Sequence, residues 1–157
     1  MDHSESPLAV VARHQASLPV NLDAIARDLG IPVQFRPLGE GVAGLIMRTG
    51  APPSNFQILI NSTEHPNRQR FTLAHELAHF ILHRDLIDSN ITDDTMYRSD
   101  MSNYIEVQAN KMAADILMPW RLVRKYNEKY NGNVEDLSRL FAVSKAAMQI
   151  RLDGLSA

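Results

Sequence analysis

Two different spacings of apolar residues divide the chain into helical and extended segments. Apolar positions three or four residues apart predict helices at residues 7–15, 22–29, 66–84, 102–117, 119–130, 134–141 and 145–155. Three short runs rich in Val, Ile, Leu and Phe, bounded by Gly and Pro, predict strands at residues 31–38, 42–49 and 56–61. Short turns join these runs, so we expect an antiparallel meander. The order of the elements predicts an α+β fold.

Local signals at the ends of the segments support this division. Asn21 can cap the second helix, and Gly30 can close it. Pro66 suits the first turn of the long central helix, and Ser144 can cap the last helix. The stretch 86–100 has no clear period and carries aspartates at 88, 93, 94 and 100, so we interpret it as a long loop.

Composition narrows the class of protein. The chain has 157 residues, 45% of them hydrophobic, so its length and apolar content are sufficient for one domain with a core. Its net charge of -2 is unsuited to binding phosphates by bulk charge. It has no apolar run of about 18 residues and no secretion signal, so we expect a cytoplasmic protein without a membrane span. The chain has no cysteine, so any metal must bind His, Asp or Glu.

The segment from Phe71 to His83 reads FTLAHELAHFILH and contains the pattern His-Glu-x-x-His. On a helix, His75 and His79 lie one turn apart on the same face, where both can reach one zinc ion with bonds of about 2.0–2.1 Å. Glu76 stands where the glutamate of this motif reaches an attacking water. A carboxylate there can take the proton of the water and pass it to a leaving amine. The pattern therefore predicts a zinc site with Glu76 as general base.

Apolar residues flank this motif on nearly every side of the helix, which predicts that the helix is buried. Burial of two histidines and a glutamate costs free energy unless each polar group is satisfied. A metal ion would satisfy all three. A hydrogen-bonded polar cluster without metal is the alternative interpretation.

A catalytic zinc site uses three protein ligands and keeps one position open. Candidates for the third ligand are His83, Glu106 and the aspartates of the loop. His83 lies about 6 Å along the helix axis beyond His79, so one ion cannot easily bind all three histidines. Glu106 lies on the next long helix, which can cross the first helix and present a carboxylate to the open side of the site. The spacing favours Glu106 and leaves the other candidates as alternatives.

Two segments together resemble the metal-site signature of the ImmA/IrrE-type metallopeptidases. They are RFTLAHELAH at residues 70–79 and EVQANKMAADILMP at residues 106–119. The resemblance implies a minimal gluzincin-like zinc peptidase, with a small antiparallel three-stranded sheet packed on the active-site helix and a helical C-terminal part. It implies one Zn²⁺ per chain, with Glu106 as the third ligand. Gln108 departs from the pattern, because an acidic residue is common at its position.

The resemblance also suggests roles for residues around the ligands. Asn110 lies one turn after Glu106, where gluzincins often place an aspartate that orients a zinc-bound histidine, and its side-chain oxygen can accept the same hydrogen bond. A purely structural asparagine is the alternative. His83 is expected to form a hydrogen bond at the cleft wall or to assist a developing oxyanion. The strand at residues 56–61 could offer its edge to an extended substrate.

We expect a zinc metallopeptidase domain at residues 1–131 and a C-terminal helix pair at residues 132–157. The pair has the spacing of a helix-turn-helix, but from Trp120 to Ala157 seven basic residues accompany four acidic ones, a small excess for DNA binding. Its apolar residues favour packing on the peptidase domain or docking of a protein. DNA contact is the less favoured alternative.

The resemblance implies a zinc-dependent endopeptidase of regulatory proteolysis, which cleaves or binds a helix-turn-helix transcriptional repressor. The alternative function is a toxin or regulator of a toxin–antitoxin pair, which binds an antitoxin protein without turnover. The intact Glu76 argues against a purely structural zinc, which needs no base.

Overall fold

Helices surround a small sheet in the computed structural model, which describes residues 5–87 and 100–156. The elements are α1 Pro7–Arg13, α2 Leu22–Asp28, β1 Val33–Arg36, β2 Gly44–Arg48, β3 Phe56–Asn61, α3 Pro66–His83, α4 Asp100–Leu117, α5 Trp120–Lys129, α6 Val134–Phe141 and α7 Lys145–Asp153. Single 3₁₀ turns follow α1, α3 and α7 at His14–Ala16, Arg84–Leu86 and Gly154–Ser156. The α+β class is confirmed. Most of the predicted loop at 86–100 lies outside the described residues.

The predicted helix boundaries rest on caps that the structure contains. The Asn21 side chain accepts a hydrogen bond from the Ala24 amide at 3.0 Å, and Ser144 caps α7 in the same way. Gly30 adopts a φ of 75°, which favours glycine because it has no Cβ, and α2 ends there. Pro66 occupies the first turn of α3. These predictions are confirmed, because each depends on the chemistry of a few neighbouring residues.

The sheet is mixed, and the predicted antiparallel meander is wrong. Its strand order is β1-β3-β2, with β1 parallel to β3 and β2 antiparallel to β3. A meander would place β2 in the middle. Instead β3, which is buried along almost its whole length, takes the central position, while three of the four residues of β1 are exposed. The most continuously apolar strand occupies the centre because it has the fewest polar side chains to remove from water when it is covered on both sides.

This order changes which strand can offer a free edge. Both edges of Phe56–Asn61 are paired, so the prediction that this strand offers its edge to a substrate is wrong. Among the described residues, β2 pairs with β3 alone and is an edge strand. The edges available to an extended peptide are therefore those of Val33–Arg36 and Gly44–Arg48.

Helix α3 forms the centre of the molecule. It packs most extensively against α4, and β2 and β3 cover another of its faces. Leu73, Ala74 and Leu77 of α3 belong to one hydrophobic cluster that also takes in the strands and the terminal helices. None of the described helices combines the length and the hydrophobicity that are required to cross a bilayer.

The C-terminal helices α6 and α7 pack on this same core. Leu137, Phe141 and Met148 are fully buried in the cluster that contains the residues of α3. Arg70 of α3 donates a hydrogen bond from Nε to the Ala142 carbonyl at 3.2 Å, in the turn between α6 and α7. We propose that residues 132–157 form a helix pair added to a domain at 1–131, and the boundary stays a prediction.

Gly44 marks a close approach between β2 and α3. A Cβ at this position would lie 2.7 Å from Thr72 Cγ2 and 2.8 Å from the Leu59 carbonyl oxygen. We predict that Gly44→Ala lowers the free energy of unfolding by about 1–3 kcal/mol, because the backbone of β3 cannot move away without disturbing the sheet. Chemical denaturation measures this change.

Gly39→Ala is the matched control. A Cβ at Gly39 meets no atom within 4 Å, so this variant is expected to unfold within about 0.5 kcal/mol of the parent. Equal stability of the two variants would show that β2 and α3 are not in close contact at Gly44.

Candidate metal centre

Three histidines and a glutamate of α3 are buried, and two of the histidines, His75 and His83, contact α4. His75, Glu76, His79 and His83 are each 6% exposed or less. The helical period explains the geometry, because residues four apart project from the same face. The apolar flanks predicted a buried helix, and this prediction is confirmed.

The structure brings His75, His79 and Glu106 together. His75 Nε2 lies 3.1 Å from His79 Nε2 and 3.4 Å from Glu106 Oε1. One ligand atom from each of the three residues can be chosen so that all lie within 4.8 Å of one another. Glu106 comes from the second turn of α4, as the spacing of the two motifs predicted.

These separations suit a zinc ion. Two ligands bonded to a tetrahedral zinc at about 2.0–2.1 Å lie about 3.3 Å apart, close to the observed distances. Two imidazole nitrogens and one carboxylate oxygen also form a donor set that zinc commonly accepts and that leaves a fourth position for water or substrate. The residues present therefore fit the metal that the sequence implies. Their assignment as ligands is a proposal.

Burial keeps His79 neutral. It lowers the pKa of His79 from the usual 6.5 to about 3, and the neighbouring His75 and His83 contribute in the same direction. An imidazole must be unprotonated at one nitrogen to bind a metal. His79 therefore needs no proton removed at neutral pH before it can act as a ligand.

Asn110 contacts the first histidine from the opposite helix. Its Oδ1 lies 2.9 Å from His75 Nδ1, a hydrogen bond in which the imidazole donates to the amide oxygen. This contact leaves the Nε2 lone pair of His75 facing His79 and Glu106. The geometry supports the predicted orienting role of Asn110, which remains a proposal.

His83 lies behind His79, away from the open side of the site. Its Nδ1 is 3.0 Å from His79 Nδ1, and its Nε2 is 2.8 Å from Gln108 Oε1. His83 does not line the main cleft described below, so its position does not support the predicted part as an oxyanion helper. Sequence reasoning noticed Gln108 only as a departure from a pattern and gave it no role.

The loop aspartates proposed as alternative ligands cannot be placed. Asp88, Asp93 and Asp94 lie outside the described residues, and Asp100 begins α4. Among the residues that the structure describes, His75, His79 and Glu106 form the group of His and acidic side chains that could hold a metal ion.

A cleft of about 880 Å³ opens beside this group. His75, Glu76 and Glu106 line it, so two of the three candidate ligands and the candidate base reach it. Its walls come from residues 41–44 leading into β2, the first half of α3, α4 from Glu106 onward, Trp120 at the start of α5, and α7. An extended peptide could therefore pass between the free edge of β2 and α7.

Helix α7 is fixed as a wall of this cleft. Arg151 is almost fully buried, and it donates hydrogen bonds to the Met118 carbonyl at 3.0 and 2.8 Å and to Asp115 at 2.9 Å. Its guanidinium also lies 3.7 Å from the centre of the Trp120 ring. One turn of α7 thus presents Ile150, which is 74% exposed, towards the cleft.

The same contacts weigh against DNA recognition by the helix pair. In a helix-turn-helix, α7 would enter the major groove and would need its polar side chains for base contacts. Arg151 is already engaged with the protein, and Gln149 donates to Asp153 at 2.8 Å. Lys145 remains exposed. One lysine supplies few of the base and phosphate contacts that a DNA-binding surface requires.

The family model of the IrrE N-terminal-like domain, a peptidase family designated M78, matches residues 26–153. The chain belongs to this family. The suggested ImmA/IrrE resemblance is therefore confirmed, and the matched region includes the whole candidate site and both C-terminal helices.

Relatives in this family include larger proteins. The chain is 38% identical to the radiation response metalloprotease IrrE of Deinococcus radiodurans over 71% of its own length and 32% of the relative, and 41% identical to that of Deinococcus deserti over 60% and 31%. It is 31% identical to the HTH-type transcriptional regulator RamB of Mycobacterium tuberculosis over 66% of the chain and 22% of RamB. The chain thus spans about a third of the length of the IrrE proteins.

A solved structure shares the fold. A transcriptional regulator of Mycobacterium tuberculosis superposes with a TM-score of 0.63 at 20% identity, over 93% of this chain and 46% of the regulator. At that identity the likeness extends to the fold alone.

Proposed function

We propose that this IrrE-like protein is a zinc-dependent endopeptidase of regulatory proteolysis. The observation that carries the proposal is the convergence of His75, His79 and Glu106 beside a cleft that His75, Glu76 and Glu106 line. The relatives named metalloproteases support the chemistry. RamB, named a transcriptional regulator, supports a regulatory setting.

The chain's own residues divide the work of peptide hydrolysis. His75, His79 and Glu106 would hold the ion, with Asn110 orienting His75. A bound zinc would polarise the scissile carbonyl and acidify the attacking water. Glu76, next to the first ligand and fully buried beside the cleft, takes a proton from that water and delivers it to the leaving amine.

The substrate is proposed to lie as an extended segment between β2 and α7. The free edge of β2 can add the peptide by main-chain hydrogen bonds regardless of sequence. Selectivity then depends on the side chains opposite, where α7 contributes Ile150 to the cleft wall. The proposed substrate is a helix-turn-helix transcriptional repressor, and a cytoplasmic location follows from that substrate.

The first prediction concerns the metal. Purified protein is expected to contain one zinc per chain, and His75→Ala and Glu106→Ala are expected to lose it or bind it much more weakly, because each removes one of three ligands. Elemental analysis measures the content. Glu128→Ala is the matched control, since Glu128 is exposed on α5 and remote from the site. Full zinc retention by Glu106→Ala would place the third ligand elsewhere.

The second prediction concerns the base. Glu76→Gln is expected to keep fold and zinc but to lower the rate of repressor cleavage by about 10²- to 10⁴-fold, because the amide cannot accept the proton of the attacking water. The assay follows cleavage of a purified helix-turn-helix repressor, with and without chelator. Cleavage at the parent rate would show that the mechanism is wrong. Full biological function without cleavage would favour the toxin–antitoxin alternative, in which binding suffices.

The third prediction concerns the wall formed by α7. Ile150→Ser is expected to leave the free energy of unfolding within about 0.5 kcal/mol, because the side chain is mostly exposed. The same change is expected to lower kcat/KM for the repressor about tenfold, since it removes an apolar contact to the substrate. Leu8→Ser on α1, also exposed but away from the cleft, is the control. An unchanged kcat/KM for Ile150→Ser would place the substrate on another path.

A further inference from the structure

Three side chains form a hydrogen-bonded line behind the metal group. His79 Nδ1 meets His83 Nδ1 at 3.0 Å, and His83 Nε2 meets Gln108 Oε1 at 2.8 Å. His79 and His83 are buried on α3, and Gln108 approaches from α4. The line therefore runs from the second candidate ligand to the neighbouring helix, on the side opposite the other ligands.

Only one arrangement of protons satisfies every contact in this line when His79 binds a metal. A neutral imidazole has one N–H donor and one acceptor nitrogen. If His79 offers its Nε2 lone pair to the ion, its proton lies on Nδ1 and is donated to His83 Nδ1. The proton of His83 then lies on Nε2 and is donated to Gln108 Oε1, an amide oxygen that can only accept.

We propose that His83 and Gln108 are positioning residues for His79, which hold it in the tautomer and ring orientation that present Nε2 to the metal. This inference rests on the proposed zinc site. It assigns His83 a structural task at the back of the site in place of the oxyanion contact that the sequence suggested. It also gives the glutamine at position 108 a role that requires only an acceptor oxygen.

The two candidate histidine ligands are thus held by different means. His75 donates directly to Asn110 Oδ1 at 2.9 Å, whereas His79 reaches an amide oxygen through an intervening imidazole. In both cases α4 supplies the final acceptor. Loss of such a partner typically weakens metal binding by about 10–100-fold.

The first experiment measures zinc affinity of the full chain by competition with a chromophoric chelator. His83→Phe keeps a ring but removes both nitrogens, and it is expected to weaken zinc binding by about 10–100-fold. Gln108→Leu removes the acceptor one step further away and is expected to cause a smaller loss. Gln108→Glu keeps an acceptor oxygen and is expected to stay within a few-fold of the parent.

Phe80→Leu is the control for general damage to α3. Phe80 is buried on the same helix but faces Phe56 and lies outside the hydrogen-bonded line. This variant is expected to lose stability as a metal-free protein while keeping the zinc affinity of the parent. Unchanged zinc affinity in a folded His83→Phe variant would overturn the proposal.

The second experiment needs no variant. Nuclear magnetic resonance of the zinc-loaded parent, with ¹⁵N-labelled histidine, is expected to show protons on His79 Nδ1 and His83 Nε2 and none on His83 Nδ1. A proton on His83 Nδ1 would overturn the proposal even if His83→Phe fails to fold. A parent that binds no zinc would overturn both this inference and the proposed function, whereas zinc binding and cleavage without the expected tautomers would overturn this inference alone.

Discussion

The burial of polar side chains on α3 is the constraint on which the rest of the structure depends. A helix that carries three imidazoles and a carboxylate through a hydrophobic core must find a partner for each, because an unsatisfied buried polar group costs several kcal/mol at the upper end. The neighbouring α4 supplies several of these partners. It presents Glu106, Gln108 and Asn110 to the polar side of α3 within little more than one turn. The two helices therefore specify each other's position, and their closest region is also the candidate site.

The sheet completes this arrangement by setting the width of the cleft. Gly44 has no Cβ, which lets the backbone of β2 pack closely against α3. The edge strand therefore lies directly beside the helix that carries the candidate ligands. The largely buried β3 supports β2 from the other side. The free edge and the candidate base consequently face the same opening. This geometry requires the mixed strand order, because a meander would place β2 in the centre, with both of its edges covered.

The features predicted correctly from the sequence are those determined by near neighbours. The caps at Asn21 and Ser144, the turn at Gly30, the start of α3 at Pro66 and the one-turn spacing of His75 and His79 are all properties of a few adjacent residues. Strand order is different, since all three runs have similar composition and the choice of the central strand depends on what covers the sheet. The contact between His83 and Gln108 also arises only when α3 and α4 pack. The spacing of His83 showed that it shares a face with His79, but no local signal indicated its partner on α4.

The C-terminal helices show why a supersecondary pattern does not determine a function. Their sequence has helix-turn-helix spacing, and the turn between them has the left-handed residue Ala142 that lets two short helices meet. In a DNA-binding pair, the second helix leaves its polar residues free for the groove. Here Arg151 instead contacts the Met118 carbonyl, Asp115 and Trp120, so its charge holds α7 against the junction of α4 and α5. An arginine bound in this way cannot leave for a phosphate without exposing a buried carbonyl and an aromatic face. The contacts of Arg151 thus make α7 a fixed wall of the cleft.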